Sequence, residues 1–117
     1  MAEDWARPFV HWEIQAKDAA QARKFYGTMF NWAISEDRIA NIPAGIGGPE
    51  PGPGGHIRES GASAFVPYIQ VLKLRESLDR AVELGGAILR EPFDLPTGQT
   101  LAWIADPEGN QVVLVQQ

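Results

Sequence analysis

The apolar and polar positions of this chain run through one order of elements twice. From Val10 to Ile34 an extended segment, VHWEIQA, leads into a stretch with helical spacing, AAQARKFYGTMF, and then into a second extended segment, NWAIS. Fifty-five positions later the order returns: VPYIQV overlays His11 to Ala16, Leu74–Leu84 overlays the helical stretch, and Ala87–Leu89 overlays Trp32–Ile34. Identities at that offset are few (Ile14/Ile69, Gln15/Gln70, Glu36/Glu91), so the pattern carries the repeat. In the first helical stretch Ala22, Phe25, Tyr26, Met29 and Phe30 fall at i, i+3, i+4, i+7 and i+8 and form one apolar stripe. Asp18 suits its N-cap and Asn31 its exit. Leu74, Leu78, Ala81 and Val82 repeat the stripe, with Lys73 where Asp18 stands and Gly85 just past the end.

The spacing predicts helices near 19–30 and 75–84. It predicts strands near 9–15, 32–35, 39–42, 55–59, 66–71, 87–91, 100–105 and 111–116. Each half then reads βαβββ with short connections, which favours antiparallel pairing and one helix on the outer face. The fold class is α+β: two paired βαβββ modules, about residues 8–60 and 65–117, within one domain. Between them, Asp37 to Ala64 holds seven Gly and four Pro in 28 residues, and Gly45–Gly55 is expected to be the most mobile part.

Composition narrows the function. With 117 residues and 12.8 kDa, one core is affordable if both halves share it. A net charge of −5 with ten scattered basic residues argues against nucleic acid, which needs clustered Lys and Arg. No apolar run reaches the length of a membrane span, and the start lacks a signal-peptide layout, so a cytoplasmic protein is expected. The absence of cysteine removes disulfides, thiolate metal sites and a cysteine nucleophile. Neither a Ser-His-Asp order nor a nucleotide loop is present, since Gly45-Ile46-Gly47-Gly48 lacks a strand-to-helix setting.

The paired layout, the opening HWEI…D…FY…FNW and the closing DPEGNQVVLVQ resemble the vicinal oxygen chelate superfamily, which includes glyoxalase I, methylmalonyl-CoA epimerase, extradiol dioxygenases and bleomycin-resistance proteins. The resemblance implies that the sheets of the two modules curl into a cup holding a small organic ligand, with the helices outside. It also implies metal ligands on the first and last strand of each module. His11 matches the first position, but the corresponding second-module residue is Val66, and the last-strand residue is Val113. The remaining position falls within His56-Ile57-Arg58. A catalytic divalent site needs about three protein ligands. No cofactor is therefore expected, with His11 and His56 as the candidate ligands if a divalent metal does bind.

Strand alternation places His11, Glu13 and Gln15 on one face, with Val10, Trp12 and Ile14 turned to the helices. Val66, Tyr68 and Gln70, then Gln111, Val113 and Val115, share the corresponding face of the second half. Trp103 sits on the neighbouring strand with its side open. The candidate ligand-binding set is His11, Glu13, Gln15, Val66, Tyr68, Gln70, Trp103, Gln111 and Val113, a mix of polar handles and apolar walls. Three functions stay open. The first is a binder of a small organic molecule without a complete metal site. The second is an enzyme, either metal-dependent through His11 and His56 or acid–base through His11 and Glu13 as catalytic residues. The third is an accessory domain whose inward polar residues satisfy one another. A homodimer is expected, because open sheet edges need cover and the chain has only Lys17, Lys24 and Lys73 to blunt them. Trp5, Phe9, Trp12 and Phe65 add apolar surface.

Overall fold

A computed structural model of the chain describes residues 7–30, 32–36, 39–42 and 53–116. Trp5, Asn31 and most of the Gly/Pro-rich stretch, including Gly45–Gly48, lie outside the described residues. The elements run β1 (Phe9–Ala16), α1 (Ala19–Phe30), β2 (Ala40–Ile42), β3 (Gly55–Glu59), β4 (Ala64–Gln70), α2 (Leu74–Glu83), β5 (Ala87–Asp94), β6 (Thr100–Ala105) and β7 (Gln111–Gln116). The architecture is α+β, with seven strands and two helices among the described residues. The chain divides into two compact units, Val10–Val66 and Pro67–Gln117, the latter joined by the stretch through Phe9.

In the unit Val10–Val66 the strands lie in the order β2-β3-β1. β3 runs parallel to β1 and antiparallel to β2. Asp18 caps α1, its Oδ1 accepting the Gln21 N–H at 3.0 Å. The helix covers a core of Ile14, Ala40, Ile42 and Ile57, against which Trp12, Ala22, Tyr26 and Trp32 pack. Gly55 is required here: a Cβ at that position would lie 2.5 Å from the Trp12 ring and 2.7 Å from the Trp12 carbonyl.

The strand expected at 32–35 does not form. Residues 32–36 run beside β2 without a ladder, because the Asn41 N–H donates to Ser35 Oγ at 2.9 Å rather than to a backbone carbonyl. Only the return bond is backbone, from Ser35 N–H to Asn41 C=O at 3.1 Å. A serine hydroxyl thus takes the place of the next rung.

In the other unit the order is β4-β7-β6-β5, with β7 parallel to β4 and antiparallel to β6, and β5 antiparallel to β6. Val71, Leu74, Leu78, Ala102 and Leu114 form its core under α2. The helix has no side-chain cap at Lys73, and Gln116 Oε1 accepts the Leu74 N–H instead, at 2.6 Å. Gly85 leaves the helix at φ 97°, in the left-handed region that favours glycine. The DPEGN turn is built by Asp106. Its Oδ1 accepts the N–H groups of Glu108 and Asn110, each at 2.9 Å, and Gly109 takes φ 90°. Ile69, Ile104, Val112 and Leu114 all face this core, so Tyr68, Trp103 and Val113 share the opposite face.

Candidate functional site

The parallel pairing of β1 with β3 sets Glu13 opposite His56 and Gln15 opposite Arg58. With Ile14 and Ile57 turned into the core under α1, the alternation sends His11, Glu13, Gln15, His56 and Arg58 to the other face. Glu13 is the centre of this group and is 1 % exposed. Its Oε1 is bonded to His56 Nε2 at 2.7 Å and accepts from Arg58 Nε at 3.1 Å. Its Oε2 accepts from Gln15 Nε2 at 2.9 Å and Arg58 Nη2 at 3.2 Å. Each carboxylate oxygen therefore accepts two hydrogen bonds, one of them from a bidentate guanidinium. No buried side-chain N or O among the described residues lacks a partner.

Burial alone would push the Glu13 carboxyl up. The hydrogen bonds from His56, Arg58 and Gln15, with the Arg58 charge, overcome that and hold it at about 2. Glu13 is thus an anion at any ordinary pH, and an anion can only accept. The proton on His56 must then sit on Nε2, which leaves Nδ1 as the ring's second bonding atom. That Nδ1 lies 2.7 Å from His11 Nε2, and the two rings stack with centroids 4.9 Å apart. His11 is held below its ordinary 6.5, first by burial and then by the neighbouring His56, with Glu13 opposing. His11 then donates from Nε2 to His56 Nδ1, and its own Nδ1 carries the lone pair. The acid–base pair expected from His11 and Glu13 is therefore a chain of three, with His56 interposed.

His56 and Arg58 are what sequence reasoning could not place. The pairing of β4 with β7 sets Tyr68 opposite Val113, as Glu13 stands opposite His56. His56 is thus the first-unit counterpart of Val113, and His11 that of Val66. Arg58, two residues on, shares the face of His56, and that i, i+2 spacing was its only sequence signal. Val66 and Val113 are each fully buried, and Tyr68, Val113 and Trp103 form a row across β4, β7 and β6. Gln70 and Gln111 lie on the same face.

Residues 11–115 match the sequence profile of the glyoxalase-like domain. The chain belongs to that family. A provisionally named glyoxylase, CFP32, of Mycobacterium bovis and Mycobacterium tuberculosis is 25% identical over 124 residues, covering 89% of this chain and 43% of that protein. This glyoxalase-like chain therefore spans less than half the length of the curated relatives it matches. A glyoxalase/bleomycin resistance protein/dioxygenase superfamily member of Vibrio splendidus superposes with a TM-score of 0.68 at 12% identity, covering 96% of this chain and all of that one. The methylmalonyl-CoA epimerase of Mycobacterium tuberculosis gives 0.63 at 12% identity, covering 99% of this chain and 95% of that one. At such identities the likeness fixes the fold alone.

The donor set at the four positions where the vicinal oxygen chelate resemblance implies metal ligands is His11, His56, Val66 and Val113. Two valines offer no donor atom. The two imidazoles are bonded to each other, and the second nitrogen of His56 is held by Glu13. These residues do not fit a resident catalytic metal, which needs about three protein ligands around an open position. Among the described residues no group of three or more His, Cys, Asp or Glu is placed to hold one.

Proposed function

We propose that this glyoxalase-like domain is a cytoplasmic protein that binds a small organic molecule at the polar face of β1 and β3 without a metal. The observation that carries this reading is the double engagement of His56 between His11 and Glu13. A side chain with both ring nitrogens committed positions its neighbours and is poorly suited to ligate. Glu13 anchors the group, while His11, half-buried at the end of the chain, is the residue offered to a ligand. The name of the mycobacterial relative and the methylmalonyl-CoA of the epimerases suggest small oxygenated acids or their thioesters as the first compounds to try.

The test is thermal denaturation of the purified chain against short 2-oxo and 2-hydroxy carboxylates and methylmalonyl-CoA, with elemental analysis of the same preparation. A saturable rise in Tm that survives EDTA and is lost in His11→Ala supports the reading. About one equivalent of a divalent metal that His11→Ala removes contradicts it.

The neutral state of His11 favours a second reading, proton transfer without metal. An imidazole held below 6.5 and backed by an ionised carboxylate through a second imidazole has the composition of a general base. Solvent deuterium entering the carbon beside the carbonyl of a bound ligand, in the parent chain and not in His11→Ala, identifies this activity. Tight binding with no exchange leaves the binding reading alone.

A further inference from the structure

The two parallel ladders differ at matched positions. Glu13 faces His56 where Tyr68 faces Val113, and Gln15 faces Arg58 where Gln70 faces Val115. The glutamine is common to both. The carboxylate, the imidazole and the guanidinium occur together in one unit, and tyrosine or valine stands at all three positions in the other. The chain thus carries Arg58 where it carries a buried carboxylate, and an aliphatic residue where it does not.

A carboxylate that is 1 % exposed needs a counter-charge beside it. His56 and Arg58 are both bonded to Glu13, and both side chains can carry one. They are not equivalent. A guanidinium is charged at any ordinary pH and has no acceptor, whereas an imidazole that takes the charge must hold a hydrogen on both nitrogens. Arg58 grips the carboxylate along one edge, Nε to Oε1 and Nη2 to Oε2, and so fixes its plane as well as its charge. With the charge supplied from Arg58, His56 gives Glu13 one N–H and keeps Nδ1 as the acceptor for His11.

We propose that Arg58 is a positioning residue that sets the direction of the Glu13–His56–His11 chain, so that His11 meets a ligand as an acceptor. Taking the guanidinium away leaves a buried anion that draws a proton from solvent. Placed on His56 Nδ1, that proton makes an imidazolium that donates to His11 Nε2. Placed on Glu13 Oε1, it is donated to His56 Nε2, and the ring's own proton moves to Nδ1; Oε2 faces the Gln15 N–H and is the poorer place for it. In both cases His11 Nε2 becomes the acceptor and its hydrogen moves to Nδ1, which turns a lone pair into a donor. The use of this direction rests on the proposed reading of His11 as the residue offered to a ligand. The direction itself is measured with no ligand present, so the two can fail separately.

NMR of the imidazole nitrogens at neutral pH, on the full chain and two variants, tests the proposal. The parent is expected to hold its His11 hydrogen on Nε2. Arg58→Gln, which removes the charge, is expected to hold it on Nδ1, with a hydrogen on His56 Nδ1 as well. Arg58→Lys, which restores the charge, is expected to return the parental pattern. A purely structural role for Arg58 would leave the His11 hydrogen in place in any variant whose circular dichroism spectrum is unchanged. A folded Arg58→Gln with the parental pattern overturns the proposal, and so does an Arg58→Lys with the reversed one. In the parent the edge-on grip also predicts a slowly exchanging Arg58 Nε–H. Exchange as fast as in free arginine overturns the proposal whether or not the variants fold.

Discussion

On β1, positions 11, 13 and 15 carry His, Glu and Gln, whereas the corresponding positions of β4 carry Val, Tyr and Gln. Across the parallel pair, the partner of Glu13 is His56, and the partner of Tyr68 is Val113. The same ladder therefore frames a charged, hydrogen-bonded group in one unit and an apolar row in the other. The helices divide in the opposite sense: α2 buries Leu74 and Leu78 completely, while α1 buries nothing. The unit Val10–Val66 thus carries both the candidate chemistry and the open apolar face, and the other unit carries the better packed core. A repeated pattern of apolar and polar positions fixes the frame and leaves each copy free to spend its inward positions differently.

The largest expected effect is at Glu13. Glu13→Ala leaves the buried His56 Nε2–H without its acceptor and takes the carboxylate from Arg58, whose side chain is 40 % exposed, so the cost is about 3–4 kcal/mol, towards the low end for a buried ion pair. Urea denaturation followed by circular dichroism measures it. A loss below about 1 kcal/mol would show that the group is held from elsewhere. Next comes the contrast between the helices. Leu78→Ala, at 0 % exposure, is expected to cost about 3 kcal/mol. Phe25→Ala should cost less than about 1 kcal/mol, since over half of that ring is already in water. Equal losses would erase the difference between α1 and α2.

Acid gives the next test, and its sign follows from the two shifted groups. Glu13 is lowered from an ordinary 4.5 to about 2, so the unfolded chain takes its proton first. Its contribution, about 3 kcal/mol, is present above 4.5 and lost as pH falls from there towards 2. His11 is also lowered, so the unfolded chain again binds the proton more readily, and stability falls as pH drops below 6.5. Denaturation midpoints measured at a series of pH values should fall in both windows, and Glu13→Gln should abolish the lower one. A flat profile below 4.5 would contradict the ionised Glu13.

Much of this was legible in the residues. The stripe at 22, 25, 26, 29 and 30 gave α1 with its observed bounds, and alternation put His11, Glu13 and Gln15 on one face. The register of β3 was not legible, because it is set by a parallel partner some forty residues away. The repeat could not supply it either: the offset is 55 between His11 and Val66 but 57 between His56 and Val113, since the loops differ in length. The strand expected at 32–35 failed for a local reason, as alternation there is apolar enough but Ser35 offers Asn41 a side chain in place of a rung. The exposure of α1 was hidden because a stripe shows which residues share a face, and says nothing of whether the chain has enough surface to cover it.

The measurement that tests the central claim most directly is NMR of the imidazole nitrogens across pH, for which the chain offers only two histidines. An ionised Glu13 that fixes His56 and, through it, His11 predicts that the His56 proton sits on Nε2, facing Glu13, and that His11 carries its proton on Nε2, facing His56. It also predicts that His11 takes its second proton only below pH 6.5. A His56 proton on Nδ1, or a His11 that protonates at 6.5 or above, would contradict the account.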